Sequence, residues 1–345
     1  MSSVRLLTPA DDARLAAFLD DLGRASPAAL AYHYPFYRDT IAAAGVGEPT
    51  TFALEEDGVF TALLPGFSRT TDTGTVFASL PFFGPNAGVL TAAGDLAVER
   101  HRVLLDALRA WMRAHPRPLA ASLQTPFLLP DFATYDTLLP EALVVDRFTQ
   151  QVDIQAGEWP AKVRYDLRRA VNLGVTVERG LTGGQLDDFY QLYVENAQAV
   201  GIAVKPRAVV DQLATRGVAE GRVKLYSAWH EGRFVAGLMV LQGPSVVSYY
   251  LPCNLDAARS LQPGMLLIDA AVQDARAAGR RWWNWEGSPS RESGVYMFKK
   301  RWGSTESAYR TYVLPFQPPE TFAALGKERI AAEFPFMFVY PFNRL

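Results

Sequence analysis

Residues 294–303 read Gly-Val-Tyr-Met-Phe-Lys-Lys-Arg-Trp-Gly, so three adjacent cations stand between aromatic residues with a glycine at each end. Like charges side by side repel one another, and the aromatic residues favour burial of part of the segment. We therefore predict that at least one of the three cations faces a cleft. A cation placed in this way can stabilise an oxyanion or bind a phosphate.

This stretch resembles the Phe-Lys-x-x-Phe-Gly signature near the end of Fem-type transferases, with Trp302 where that family usually has phenylalanine. Proteins of that family consist of tandem GNAT-like domains and move an aminoacyl group from aminoacyl-tRNA to an amine of a peptidoglycan precursor. The resemblance implies an α/β fold with mixed sheets in two tandem GNAT-like domains. It also implies that Lys299, which directly follows Phe298, is the functional lysine.

Composition limits the class of protein. With 345 residues, of which 49% are hydrophobic, the chain can bury the cores of two domains. The single cysteine, Cys253, cannot form an intramolecular disulfide, and no stretch of about 18 apolar residues is present. We therefore expect a cytoplasmic protein without a transmembrane segment. A net charge of −2 gives no overall attraction to nucleic acid, so any contact with tRNA must be local.

The order of predicted elements is similar in the two halves of the chain. Each half has a strand hairpin with an acid-glycine turn, at Asp57-Gly58 and Glu231-Gly232, and these turns lie 174 positions apart. Each hairpin is followed by a strand, a long helix (95–115 or 263–278) and another strand, which predicts mixed sheets. The series is the GNAT order. We predict domains at 1–156 and 157–316, and a tail at 317–345 that packs on the body.

A GNAT enzyme that uses acetyl-CoA binds pyrophosphate with consecutive backbone N–H groups at the start of this long helix, usually in Arg/Gln-x-x-Gly-x-Gly/Ala. Here the aligned residues are Arg-Ser-Leu-Gln-Pro-Gly at 259–264. Gln262 replaces a glycine, and Pro263 lacks an N–H donor. The signature is eroded, which weakens the acyl-CoA interpretation but leaves it open. The loop 79–88 in the first half resembles the Ser-Leu-Pro-Phe loop of Fem-like proteins associated with surface polysaccharides.

Two basic patches could bind an anionic substrate. One lies between Arg280 and Arg310 and holds seven cations against three acids. The other is on a predicted helix over 159–173, where Asp166 is the acid that opposes the cations Lys162, Arg164, Arg168 and Arg169. Arg164, Arg168 and Arg169 suit the phosphates of a tRNA end or of a nucleotide-linked acceptor, although a solvated helix face gives the same pattern.

Amide formation from an activated ester needs a deprotonated amine, a positioned carbonyl and a stabilised oxyanion. We predict that Lys299 stabilises the oxyanion or the leaving ribose oxygen, that Glu286 relays a proton, and that Tyr250 or Tyr249 lines the site on the neighbouring strand. An ordinary lysine packed on Trp302, or an ion pair of Glu286 with an arginine, are the alternatives. The substrate-binding residues are predicted to include Tyr296, Phe298, Lys300 and Trp285.

The favoured interpretation is an aminoacyl or acyl transferase that uses aminoacyl-tRNA as co-substrate, with no tightly bound cofactor and no metal. The alternatives are an acyl-CoA-dependent N-acyltransferase and a non-catalytic tandem GNAT scaffold in envelope polysaccharide assembly. The expected partners are a tRNA acceptor end and a small or nucleotide-linked amine. The aromatic tail at 334–342 packs on the body by default, with contact to a membrane surface as the other interpretation.

Overall fold

The computed structural model describes residues 2–82, 87–129, 131–182 and 184–344. The helices and strands of the first part of the chain are β1 (Ser2–Leu6), α1 (Asp12–Ala25), α2 (Pro35–Ala43), β2 (Glu48–Pro49), β3 (Phe52–Glu56), β4 (Val59–Leu64), β5 (Phe67–Thr70), β6 (Thr75–Ala78), β7 (Leu90–Thr91), α3 (Ala97–Ala114), β8 (Pro118–Gln124), α4 (Phe132–Leu138) and β9 (Leu143–Asp153).

The second part continues in the predicted order. Its elements are α5 (Ala161–Asn172), β10 (Thr176–Arg179), α6 (Gln185–Ala199), α7 (Arg207–Gln212), β11 (Val223–His230), β12 (Arg233–Gln242), β13 (Val246–Asn254), α8 (Pro263–Ala277), β14 (Trp282–Gly287), α9 (Gly294–Arg301), β15 (Thr305–Pro315), α10 (Pro319–Leu325) and α11 (Lys327–Glu333).

The chain divides into two compact units. Unit 1 is formed by residues 1–148 together with 307–345, and unit 2 by residues 149–306. These bounds differ from the predicted ones near 157 and 316, because β9 and β15 each begin in one unit and end in the other. The repeated order of elements does not show the residues within β9 and β15 at which one unit ends and the other begins.

Unit 1 contains an antiparallel sheet in the order β1-β3-β4-β7 and a second, mixed set of strands in which β6 and β8 are parallel. Two strands, β4 and β5, follow the turn at Asp57-Gly58, because the chain changes sheet at Gly66. A Cβ at Gly66 would lie 2.2 Å from the Phe77 ring, so this crossing needs glycine. The apolar face of α3, with Leu104, Leu108 and Met112 fully buried, packs on these strands.

The C-terminal segment packs within unit 1. Phe322 stacks on Tyr340 with ring centroids 4.0 Å apart, and Phe334 is fully buried. The Phe82 N–H donates to the Phe336 carbonyl at 2.9 Å, and their rings lie 4.6 Å apart. Phe322, Phe334 and Tyr340 are therefore buried within unit 1, and contact of the tail with a membrane surface stays a prediction. In the described part of the chain, no helix is long and apolar enough to cross a bilayer.

Unit 2 has strands in the order β10-β11-β12-β13-β14, followed by the unit 2 part of β9. Neighbours are antiparallel except β13 and β14, which are parallel because α8 returns the chain between them. The core on one face of this sheet contains Trp283, Trp285 and Trp302, each at most 1% exposed. The parallel pair determines where a site can form.

Candidate active site

Strands β13 and β14 pair only over a short distance in the register that the structure gives. The parallel register runs from Val246 opposite Trp282 to Ser248 opposite Asn284. Beyond it, β13 continues to Asn254 and β14 continues to Gly287. The carboxyl ends of the two strands are therefore not held together by ladder hydrogen bonds, and side chains determine what lies there.

The side chains of β14 alternate between the two faces of the sheet, as strand geometry requires. Trp283 and Trp285 enter the tryptophan core, where the Trp285 ring lies 5.0 Å from Tyr249 and 6.0 Å from Phe298. Asn284 lies on the other face, fully buried, with its Nδ2 within 3.3 Å of the Ser248 hydroxyl. One face of the strand pair is thus apolar, and the other carries hydrogen-bonding groups.

Asn284 holds Glu286 at two points. The Glu286 N–H donates to Asn284 Oδ1 at 2.9 Å, and Asn284 Nδ2 donates to Glu286 Oε1 at 2.8 Å. Glu286 has a φ of 62°, a left-handed conformation that is uncommon for a residue with a side chain. Strained residues of this kind cluster at functional sites. The carboxylate is consequently fixed at a bulge of β14, between Asn284 and Gly287, where the pairing with β9 is irregular.

Lys299, which lies on α9, contacts residues 286–288 at the end of β14. The helix begins at the Ser293 cap, whose hydroxyl accepts from the Tyr296 N–H at 3.2 Å. Lys299 is 4% exposed, and its Nζ donates to the Glu286 carbonyl at 3.2 Å, the Gly287 carbonyl at 2.6 Å and the Ser288 Oγ at 3.0 Å. An ammonium group has three donors, so these bonds use all of them.

Burial lowers the pKa of Lys299 to about 8, and the opposite charge of Glu286 limits that decrease. One cation of the Lys-Lys-Arg run is thus buried, and its exposure to a cleft stays a prediction. Its neighbours differ: Lys300 is exposed with Nζ 6.0 Å from the Tyr296 ring, and Arg301 donates to Asp166. The three consecutive cations have three different environments because helical geometry sends them in different directions.

A buried glutamine extends the polar network. Gln150 is 1% exposed, accepts from the Ser288 hydroxyl at 3.1 Å, and donates to the Tyr296 carbonyl and the Ser304 hydroxyl at 3.2 and 3.0 Å. It therefore ties the turn after Glu286 to the beginning of α9. A fully bonded network of this kind fixes one arrangement of the groups that it contains.

Lys205 is a site residue that the sequence did not single out. It lies between α6 and α7, where its N–H donates to the Tyr193 hydroxyl at 3.0 Å and its carbonyl accepts from the Tyr190 hydroxyl at 3.0 Å. Its ammonium lies 5.0 Å from the centroid of the Tyr250 ring. Burial lowers the pKa of Lys205 to about 8, and Glu286 opposes the decrease. A lone lysine before a proline has no pattern that distinguishes it from a surface lysine.

The structure brings some of the predicted site residues together and separates others. Around the end of β14 lie Lys299, Glu286 and Tyr250, and Lys205 lies near them. Tyr249, Trp285 and Phe298 pack in the core of unit 2 and bury the apolar side of the same strand ends. Tyr249 and Tyr250 thus point to opposite faces, as alternation predicts.

The basic helix α5 presents part of its predicted patch. Arg164 pairs with Glu158 at 2.5 Å, whereas Arg168 and Arg169 are exposed. Asp166, predicted to oppose the patch, is instead fully buried and accepts from Lys162 at 3.0 Å and from Arg301 of α9. Burial raises the pKa of Asp166, but the hydrogen bonds from Arg301 and Lys162 outweigh it and leave the pKa below its ordinary value. Asp166 joins the two basic patches and leaves the outer face of α5 cationic.

The start of α8 retains a small cleft. Gln262 has a φ of 57°, Pro263 begins the helix, and Asn254 Oδ1 lies 2.9 Å from where a Cβ of Gly264 would be. The cleft between this point and Tyr249 is too narrow to admit a water molecule. Small-molecule sites usually have volumes of about 300–1,000 Å³. Among the described residues, no group of three His, Cys, Asp or Glu side chains is arranged to hold a metal.

The loop 79–88 in unit 1, which resembles a loop of Fem-like proteins, is described only in part. Residues 83–86 lie outside the described residues. At its start, Leu80 and Phe82 both have a φ of 71°, and Pro81 lies between them.

Known proteins have a fold similar to that of this chain. Residues 161–291 match the model of an acetyltransferase (GNAT) domain. No curated protein matches the chain by sequence. The crystal structure of FemX superposes with a TM-score of 0.71 at 14% identity, over 89% of this chain and 96% of that one.

Two further structures have the same plan. A tandem GNAT protein from the clavulanic acid biosynthesis pathway has a TM-score of 0.55 at 15% identity, over 92% of this chain and 99% of that one. The C-terminal domain of a putative lysylphosphatidylglycerol synthetase from Agrobacterium fabrum has a TM-score of 0.59 at 14% identity, over 94% of this chain and 98% of that one. The predicted α/β fold with tandem GNAT-like domains, and the resemblance to Fem-type proteins at the level of the fold, are confirmed.

Proposed function

From the tandem GNAT fold, we propose that the protein is a transferase that forms an amide bond, moving an aminoacyl or acyl group from an activated donor to an amine. Aminoacyl-tRNA is the donor that we propose, and an amine of a cell-wall precursor or another small molecule is the acceptor. This donor places the reaction in the cytoplasm. The observation that carries the proposal is the cluster of Glu286, Lys299 and Lys205 at the separated ends of β13 and β14.

The cluster matches what aminolysis of an ester requires. The donor is already activated, so the protein supplies mainly orientation, a proton acceptor and positive charge. Glu286 is a carboxylate held by Asn284 in one position, which suits it to accept a proton from the attacking amine. Lys299 adds positive charge at low exposure, although its three hydrogen bonds keep it on the turn. Arg168 and Arg169 offer exposed cations for the phosphates of the donor.

An acyl-CoA-dependent N-acyltransferase is the second candidate. It is favoured by the match of residues 161–291 to an acetyltransferase domain. The eroded sequence at the start of α8 and the small size of the cleft there argue against it. A protein that binds neither donor and transfers nothing would instead be the predicted scaffold.

A thermal-shift comparison separates these candidates. The protein is measured with acetyl-CoA, with charged and uncharged tRNA, and with a UDP-linked muropeptide. A ligand at 100 times its dissociation constant adds about 2.7 kcal/mol to the unfolding free energy, which is readily measured. Stabilisation by charged tRNA or the muropeptide, together with transfer that Lys299→Met lowers, supports the proposal. Stabilisation by acetyl-CoA alone replaces it with the second candidate.

A further inference from the structure

The two lysines beside Glu286 are held in different ways. Lys299 gives all three of its donors to oxygens of residues 286–288 and cannot donate to a substrate without breaking one of these bonds. Lys205 is held through its backbone, by the hydroxyls of Tyr190 and Tyr193. Its side chain extends over the Tyr250 ring, on the face of β13 opposite to the tryptophan core.

Glu286 is linked to both lysines, through the hydrogen bond from Lys299 to its carbonyl and through an electrostatic effect on Lys205. Glu286 affects the ionisation of both lysines, so its charge lies within electrostatic range of each. The side chain of Glu286 is bonded to Asn284, while its carbonyl is bonded to Lys299. Lys299 thus contacts the backbone of residues 286 and 287, whereas the ammonium of Lys205 lies over the Tyr250 ring.

We propose that Lys205 is a catalytic residue of the transfer, which protonates the leaving oxygen, and that Lys299 is a positioning residue that fixes the Glu286 turn. This inference rests on the proposed function. In the reaction, the acceptor amine forms a C–N bond with the ester carbonyl carbon, and Glu286 takes a proton from the amine nitrogen. The oxyanion then collapses, the bond from carbon to the ribose oxygen breaks, and that oxygen takes a proton from the Lys205 ammonium.

The pair returns to its starting state without another reactant. Protonated Glu286 is a stronger acid than the Lys205 ammonium, so its proton passes to the neutral amine of Lys205. The lowered pKa of Lys205, about 8, favours this cycle because the side chain is mostly charged at neutral pH yet releases its proton more readily than an ordinary lysine. The ammonium of Lys205 also lies over the Tyr250 ring, whose electron-rich face attracts a cation.

The pH dependence of the reaction separates the two lysines. The ionisable groups placed around Lys205 are those of Tyr190, Tyr193, Tyr250 and Glu286, with Lys299 facing the same carboxylate. We expect kcat of the wild type to decrease as pH rises through about 8, because deprotonated Lys205 cannot donate. Lys205→Met should lower kcat about 100-fold or more with little change in KM. Lys205→Arg keeps the positive charge but should also lower kcat, because arginine does not release its proton, and the remaining rate should show no alkaline limb near pH 8.

Lys299 variants give the opposite pattern. Lys299→Met should lower the rate but keep the alkaline limb, because a positioning residue does not donate the proton. Lys224→Met, a half-exposed lysine on β11 that lies 4.0 Å from Asp274, is the matched control and should leave the rate and its pH profile unchanged. An alkaline limb that disappears in Lys299→Met and persists in Lys205→Arg would reverse the assignment.

A measurement on the protein alone keeps this inference separate from the proposed function. The chain's lysines are Lys162, Lys205, Lys224, Lys299, Lys300 and Lys327. With lysine carrying ¹³C at Cε, NMR should show Lys205 titrating near pH 8, and at lower pH in Glu286→Gln, because the carboxylate stabilises the ammonium. If Lys205 is unaffected by Glu286→Gln, the pair does not exist and the inference fails. If the pair is present but no donor is transferred, the proposed function fails instead.

Discussion

The two units contain the same parallel pair of strands and finish it differently. In unit 1, β6 and β8 remain joined beyond their ladder: the Ser79 N–H donates to the Ser122 carbonyl at 2.8 Å, and the Gln124 N–H donates to Ser79 Oγ at 3.1 Å. In unit 2, the register ends at Ser248, and a carboxylate and two lysines lie at the strand ends. The strand ends are thus joined by neutral groups in unit 1, whereas charged side chains lie at the strand ends in unit 2.

This difference shows where a duplicated fold has room for chemistry. Neutral hydrogen bonds between strand ends stabilise the sheet and need no compensation. Keeping a buried lysine charged costs free energy, and a glutamate in a left-handed backbone conformation adds strain. Both features therefore reduce the stability of the fold. We therefore expect unit 2 to carry the reaction, and substitutions in matched positions of the two units to have unequal effects on it.

The largest difference between substitutions in the two units should be in kcat. Glu286→Gln preserves the shape of the side chain but removes its ability to accept a proton, so kcat should decrease by about 10²–10⁴-fold. Ser79→Ala, which removes the hydroxyl that joins the two strand ends of unit 1, should leave kcat unchanged within about twofold. Steady-state transfer rates with both variants test this, and circular dichroism confirms that both fold. Equal losses in the two variants would mean that the site does not belong to unit 2 alone.

The next effect is on stability and its pH dependence. The folded pKa of Lys299 is about 8 and the pKa of an unfolded lysine is near 10.4, so between these values the unfolded state binds more protons. The unfolding free energy must therefore rise with pH in this window and be lowest, for this group, below pH 8. At about 1.4 kcal/mol for each pKa unit, the increase is of the order of 3 kcal/mol.

Lys299→Met isolates that contribution. Urea denaturation of the wild type and the variant between pH 7.5 and 10.5 gives the difference in their unfolding free energies at each pH. The difference should change in favour of the wild type as pH rises, because the wild type is relieved of a buried charge. Parallel curves would show that Lys299 is not charged in a buried environment.

Asn284 should contribute less, and to stability rather than directly to the reaction. Asn284→Ala removes the donor to the Glu286 carboxylate and the acceptor of its N–H, at a fully buried position. Each buried group left without a partner costs about 1–3 kcal/mol, so the midpoint of denaturation should fall clearly. Ser122→Ala in unit 1 keeps its carbonyl bond to Ser79 and should cost less. A larger loss in Ser122→Ala would contradict the view that the strand ends of unit 2 depend on side chains.

The sequence predicted those parts of the molecule that local pattern determines. The long helices, the turns at Asp57-Gly58 and Glu231-Gly232, and the order of strands follow from apolar period and turn chemistry. Burial of Lys299 followed from its aromatic neighbours. β1 was not predicted, because Ser2-Ser3-Val4-Arg5 has little apolar content and becomes a strand by pairing with β3.

The missed site residues depend on contacts between distant segments. Lys205 reaches Tyr250 and the neighbourhood of Glu286 because the connection between α6 and α7 is held by two tyrosine hydroxyls. Asp166 was assigned to a charged surface because lone acids on basic helices usually lie there, but Arg301 makes its burial favourable. Neither contact is encoded in the spacing of residues along the chain.

The smallest expected effect concerns the outer surface of unit 2. Each phosphate contact that a cation makes contributes about 0.7–0.9 to the slope of log K against log salt. If Arg168 and Arg169 bind the donor, the double substitution to alanine should reduce the salt slope of tRNA binding by about 1.5. Fluorescence anisotropy with labelled tRNA between 50 and about 200 mM salt would measure it.

Arg102→Ala, which removes an exposed cation of α3 in unit 1, should leave the slope unchanged, because the donor is proposed to bind to unit 2. An unchanged slope in the double variant would make the face of α5 a solvated surface, whereas a slope reduced by Arg102→Ala would extend donor binding to unit 1.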